Sequence, residues 1–107
     1  MKIKKCFFLL PTSYNDGREV PPEVMDGILD ELYLTFSGYS IGGIAEGTWR
    51  MSDGTKVRDL SLQVWVIMDE EKVPVMRDLV KKFAKILGQE KMLFEAMDWP
   101  GEFIGPD

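Results

Sequence analysis

The chain contains no histidine. Ser-His-Asp and Cys-His nucleophile systems are thereby excluded, and so is the commonest zinc ligand. Cysteine is nearly missing too. Cys6 stands alone, cannot close an internal disulfide, and sits in an apolar run as a small buried hydrophobe. With no disulfide framework, nothing argues for secretion, and the cytoplasm is the expected compartment. Positive charge is in short supply. Thirteen Lys and Arg against 18 Asp and Glu leave a formal net charge of −5. Nucleic acid and anionic membrane both call for basic patches, so neither is an expected partner. Two short basic stripes, Lys2-Lys4-Lys5 and Lys81-Lys82-Lys85, read as solvated faces. Long apolar runs are absent as well. The run Cys6–Leu10 falls short of the ~7–15 residues of a signal-peptide core, and no run reaches transmembrane length. Nor is there a glycine-rich phosphate loop: Gly42-Gly43 falls inside a strand pattern.

What is present suits one domain of 107 residues, 45% of them apolar. A chain of that size buries roughly 65% of its unfolded surface, enough for a core without staples. Residues 2–10 read as a strand buried on both faces and ended by Pro11. The segment Pro11–Pro21, with Tyr14-Asn15-Asp16-Gly17-Arg18 at its centre, reads as a long loop holding a tight turn. Pro21-Pro22-Glu23 starts a helix whose apolar stripe is Met25, Ile28, Leu29, Leu32 and Phe36, closed by Ser37-Gly38. Asp69-Glu70-Glu71 is expected to cap a second helix, with stripe Met76, Leu79, Val80, Phe83, Ile86 and Leu87 and stop signal Gly88. Lys91–Met97 reads as a last strand. The domain is expected over 1–97, with an extended tail over 98–107.

Between the helices, Tyr39–Met68 reads as a hairpin around Ser52-Asp53-Gly54-Thr55. Asp-Gly between two periodic runs predicts a two-residue turn with both central residues at positive φ. That turn pairs Gly47 with Leu60, Ala45 with Leu62, Gly43 with Val64, Ile41 with Val66 and Tyr39 with Met68, all on the face turned to the helices. The opposite face is expected to hold Ile44, Trp65 and Ile67, with Trp65 covering bare Gly42.

The element order β-α-β-β-α-β, with right-handed crossovers, predicts an α+β ferredoxin-like sandwich. Its four-stranded antiparallel sheet has order 4-1-3-2, with both helices on one face. The other face is left open and partly apolar. Self-association through that face or an edge strand is one expectation, and the tail folding back over it is the other.

This topology gathers the loop 12–20, the hairpin turn and Gly88-Gln89-Glu90 at one end. Tyr14, Asp16, Arg18, Trp49, Arg50, Asp53, Arg58, Gln89 and Glu90 are expected there, with the first helix's N-terminus aimed at them. Mixed charges, an amide and an aromatic suit a small polar or anionic ligand. Among the strand acids, Glu46, Asp59 and Glu95 are the candidates for carboxylate acid/base chemistry, which half-burial would favour by raising a pKa. Asp69-Glu70-Glu71 would suit Mg²⁺ or Ca²⁺, but capping explains these acids more simply, so no metal and no cofactor are expected.

Gly47-Thr48-Trp49-Arg50, Asp53-Gly54, the strand Asp59–Ile67 and Phe83…Gln89-Glu90 together resemble a family of small uncharacterised bacterial proteins. That resemblance implies the ferredoxin-like fold and no established activity. The leading expectation is a self-associating binding or regulatory module for a small polar or anionic ligand. The alternative is a histidine-free, cofactor-independent enzyme acting on a small aromatic or anionic substrate.

Overall fold

The computed structural model describes residues 2–107. Strand β1 (Ile3–Pro11) is followed by helix α1 (Pro22–Phe36), strands β2 (Ser40–Arg50) and β3 (Lys56–Asp69), a single 3₁₀ turn (Glu70–Lys72), helix α2 (Val73–Ile86) and strand β4 (Phe94–Asp98). The sheet order is β2-β3-β1-β4, every pair antiparallel. This is the predicted α+β arrangement, read from the opposite edge.

Alternation along the central strands puts Cys6, Phe8 and Leu10 of β1 and Val64, Val66 and Met68 of β3 on one face. They form one core with Ile28 and Leu32 of α1 and Met76, Val80, Phe83 and Leu87 on the α2 side. The α2 residues recur at helical spacing, which is why one stripe of that helix buries and its lysines stay in water. Phe8 and Phe83 meet with ring centroids 6.3 Å apart.

The helix ends differ in detail from the expectation. Ser37, at φ 65°, takes the left-handed position that closes α1, donating its N–H to Tyr33. Asp69 makes no side-chain cap. The 3₁₀ turn intervenes, and α2 begins at Val73 with Pro74 in its first turn, where a missing N–H costs nothing. At the far end Gly88 (φ 63°) donates to Lys85 and Gln89 donates to Ala84, a left-handed cap that satisfies the last carbonyls. The last strand starts at Phe94, not Lys91, because Gln89–Leu93 is spent on turning the chain.

The hairpin register departs from the expected one by one residue. Met51 donates to Thr55 at 2.8 Å and Gly54 to Met51 at 3.0 Å, with Gly54 alone at positive φ (90°). This is a three-residue loop with a glycine bulge, not a two-residue turn. Gly47 therefore opposes Asp59, Ala45 opposes Ser61 and Gly43 opposes Gln63, while Ile44 opposes Leu62. A second irregularity between Ile41 and Gly43 moves the pairing by one more, so Ile41 meets Val64 and Ser40 meets Trp65. The helix-facing row of β3 stays as expected, although Leu60 lies beyond the helix layer and is half exposed. On β2 the assignment is reversed: Gly43, Ala45 and Gly47 face away from the helices, and Ile44 faces their side. Trp65 does cover Gly42, where an added Cβ would overlap the ring.

The tail does not fold back over the open face. After Trp99 donates to Ile3, the chain carries Phe103 and Ile104 out into solvent, 83% and 82% exposed. Among the described residues, no helix is long and apolar enough to cross a membrane.

Candidate functional site

Three local structures meet at the end of the sheet where β1 stops. The first is the loop 12–20. It is a miniature hairpin: Tyr14 donates to Arg18, Gly17 to Tyr14, Val20 to Thr12, and Ser13 bridges Glu19. Buried Val20 and the bond from Thr12 N–H to Leu60 anchor it to the sheet. The second is the tip of the β2–β3 hairpin, which runs past the end of β1 as an arm. The third is Gly88–Leu93, aimed by the glycine cap on α2.

The arm reaches across β1 to the third segment. Ser52 donates its hydroxyl to one Glu90 oxygen at 2.5 Å and its N–H to the other at 3.0 Å. Asn15 cross-braces the junction, donating to the Gly88 carbonyl at 3.2 Å and accepting from the Gln89 amide at 3.0 Å. Between arm and sheet lies a cavity of about 510 Å³ on the open face. Leu9, Pro11, Ser61, Met92 and Leu93 line its floor. Trp49, Val57 and Asp59 supply one wall, and Gln89, Glu90 and Lys91 the other.

The Trp49 wall follows from the shifted register. Gly47 and Asp59 are direct partners, so the indole of Trp49, two residues along the same face, can lie over the glycine. Its Nε1–H donates to Asp59 Oδ1 at 3.1 Å. A Cβ on Gly47 would stand 2.7 Å from that nitrogen and 3.0 Å from that oxygen. The second Asp59 oxygen has no hydrogen-bond partner among the described residues, and Trp49 as a residue remains 43% exposed. The site thus offers an aromatic face and an acceptor on one side, with a second carboxylate opposite.

The residues expected at this end are divided between two clefts. Trp49, Arg50, Gln89 and Glu90 line the cavity just described. Tyr14 and Arg58 line a second, more polar cleft of about 330 Å³ on the other side of the arm, where Arg58 pairs with Glu46 at 2.9 Å. Asp16 and Arg18 line neither. They pair with each other at 2.7 Å on the exposed loop tip, and the guanidinium lies over the Tyr14 ring. The Arg18 backbone N–H and then its side chain hold the Asp16 carboxyl below the usual carboxylate range. Asp53 is likewise occupied locally: the Thr55 hydroxyl and N–H lower its pKa. No residue of α1 lines either cleft, so the helix N-terminus does not serve this site. Asn15, Ser52 and Asp59 were not in the expected group. Asp59 was expected on this face as a candidate carboxylate, and reading the turn with three residues would have set Gly47 and Trp49 beside it.

No family model matches the chain, and no curated protein matches it. Among solved structures, it is similar to a phage SAM lyase in complex with S-methyl-5'-thioadenosine, with a TM-score of 0.70. The likeness covers 91% of this chain and 81% of that one at 15% sequence identity. What it shows is a shared fold.

Proposed function

We propose that this protein binds a small molecule carrying a flat ring and a hydroxyl or cationic group in the cavity beneath the hairpin arm. The observation that carries this reading is the Trp49 indole, fixed over Gly47 by its bond to Asp59 while its other face stays open. Such a ring stacks on a planar ligand or covers a cation, and the free Asp59 oxygen accepts from a hydroxyl or pairs with positive charge. The cavity volume lies in the ~300–1,000 Å³ range of small-molecule sites. S-methyl-5'-thioadenosine, the ligand of the structural neighbour, has this combination of ring and hydroxyls and is the natural first probe. Isothermal titration and Trp fluorescence test it. Trp49→Ala or Asp59→Asn is expected to weaken binding by roughly tenfold, about 1.4 kcal/mol. Absence of binding by the intact protein at ~1 mM, the upper end of ordinary enzyme affinities, would overturn the reading.

A second reading, catalysis, is supported by the two carboxylates on opposite walls. Without histidine, the carboxylates and Lys91 are the candidates for moving a proton at this site. The assay is incubation with S-adenosylmethionine and mass-spectrometric detection of S-methyl-5'-thioadenosine. Formation by the wild type and its loss in Asp59→Asn or Glu90→Gln would establish turnover. No formation above the buffer control would leave only the binding module.

We also propose that copies of the chain associate through the open sheet face. Ile3, Phe7, Leu9, Trp65, Ile67 and Met97 lie on it, and no helix covers them. An apolar face of that extent is the mark of an interaction surface.

A further inference from the structure

We infer that the segment after β4 is an arm that docks on a second copy of this chain and completes the interface begun by the open sheet face. The inference rests on the self-association proposed above.

The segment has a shape of its own and no partner. The Trp99 and Phe103 rings meet at 5.2 Å between centroids, with Gly101 beneath the indole, where a Cβ would overlap the ring. Trp-Pro-Gly-Glu-Phe thus folds into a small knuckle. Beyond the bond from Trp99 to Ile3, residues 100–107 make no hydrogen bond to the body among the described residues. Phe103 and Ile104 stand almost wholly in water, and the molecule is drawn out to 52 Å against 26 and 22 Å in the other directions. A preshaped apolar segment loses less freedom on docking than a random one, which suits it to binding another surface.

Area decides what that surface is. At ~3.4 Å along each strand and ~4.8 Å between strands, nine residues each of β1 and β3, the five of β4 and the Ser40–Ala45 end of β2 give the sheet a face of about 450 Å². A stable interface buries roughly 800 Å² per partner, so the face alone falls short. An aromatic side chain supplies ~150–250 Å² when buried, and Phe103 with Ile104 makes up most of the difference. Face and arm adjoin at Met97, Trp99 and Ile3. A two-fold axis beside them would therefore use both surfaces twice, each copy's arm lying on the other's sheet, which is the self-complementary arrangement of a symmetric dimer. A smaller unrelated partner could use one surface but leaves the other uncovered.

The test is sedimentation velocity on the full chain across a concentration series, with Phe103→Asp/Ile104→Asp beside the wild type. Phe103 meets only the Trp99 ring of its own knuckle and Ile104 stands in water, so circular dichroism and thermal unfolding of the dilute variant should match the wild type. The expected result is an associating wild type and a variant weakened by roughly tenfold or more in Kd. An associating wild type with an unaffected variant overturns the arm and leaves sheet-face association standing. A wild type that stays monomeric overturns both. A photo-crosslinker in place of Phe103 locates the contact. Adducts between chains on β1 or β3 peptides support the arm, and adducts within one chain or on the helices refute it.

Discussion

The contact between arm and body can be broken at a single atom group. Glu90→Ala removes the carboxylate that accepts both Ser52 bonds, at 2.5 and 3.0 Å. Hydrogen bonds to a charged group contribute ~1.5–3 kcal/mol when shielded. Glu90 is exposed, and water and salt compete, so each bond is better placed near ~0.5 kcal/mol and the pair near ~1 kcal/mol. That corresponds to about fivefold in the closed-to-open ratio of the arm. For a domain of this size it is also about 4 °C in Tm, if the latch is lost on global unfolding. Amide exchange separates the local effect from the global one. In Glu90→Ala the Ser52 amide should exchange about fivefold faster, while those of Val20 and Thr12, bonded within the adjoining loop and to the sheet, keep their wild-type rates. Glu90→Gln retains a neutral acceptor and should recover part of the protection. Equal exchange at Ser52 in wild type and Glu90→Ala would show that the arm is held by something else, and the cavity wall would have to be redrawn.

Gly47→Val should push the indole off Asp59 and weaken probe binding by roughly tenfold, as Trp49→Ala does, with little loss of fold, since the groups it meets are ends of side chains. An unchanged affinity would refute the role given to the Trp49–Asp59 bond. Cys6 is wholly buried, and burial pushes its thiol up. It should stay unreactive to a thiol reagent in the native protein and react fully in denaturant, so fast native labelling would contradict the core. Lys4 holds the Asp98 carboxyl below its ordinary 3.8, while Asp98 raises the Lys4 ammonium above 10.5. A depressed carboxylate stabilises the fold above its unfolded pKa and loses that gain as pH falls through the folded value. A raised ammonium stabilises below its unfolded pKa and loses the gain as pH rises through the folded value. The Tm of Asp98→Asn should therefore fall less steeply than wild type below about pH 4 and above about pH 10, and superimposable profiles would refute the pairing.

Element order, helix stripes and the buried row of β3 were legible because each depends on a period carried by many residues at once. Val64, Val66 and Met68 could slip to the other face only by burying Gln63. The faces of β2 depended on one turn. Ser-Asp-Gly-Thr is compatible with two loop lengths, and the choice is made by the bonds among Met51, Gly54 and Thr55, which have no periodic signature. The irregularity near Gly42 was equally silent, since Gly-Gly in a strand signals flexibility without saying which residue is skipped. The site inherited that uncertainty. Proximity in topology brought Trp49, Gln89 and Glu90 to the right end, but it could not tell that the arm's two faces serve different clefts. It therefore grouped Tyr14 and Arg58 with them, and kept Asp59 apart as a separate candidate carboxylate.

Consecutive positions on the β2 side of the arm thus meet different neighbours. Trp49 lines one cleft, Arg58 and Glu46 the other, and Asp59 stands at the edge of both. With β3 held in register by β1, a single residue inserted into or deleted from the tip would turn β2 over, bringing Glu46 and Thr48 to the cavity side in place of Gly47 and Trp49 while Asp59 and Val57 stay where they are. The length of that tip is accordingly a chemical selector, and a small one: one amino acid at Ser52–Gly54 sets what the neighbouring hollow can hold.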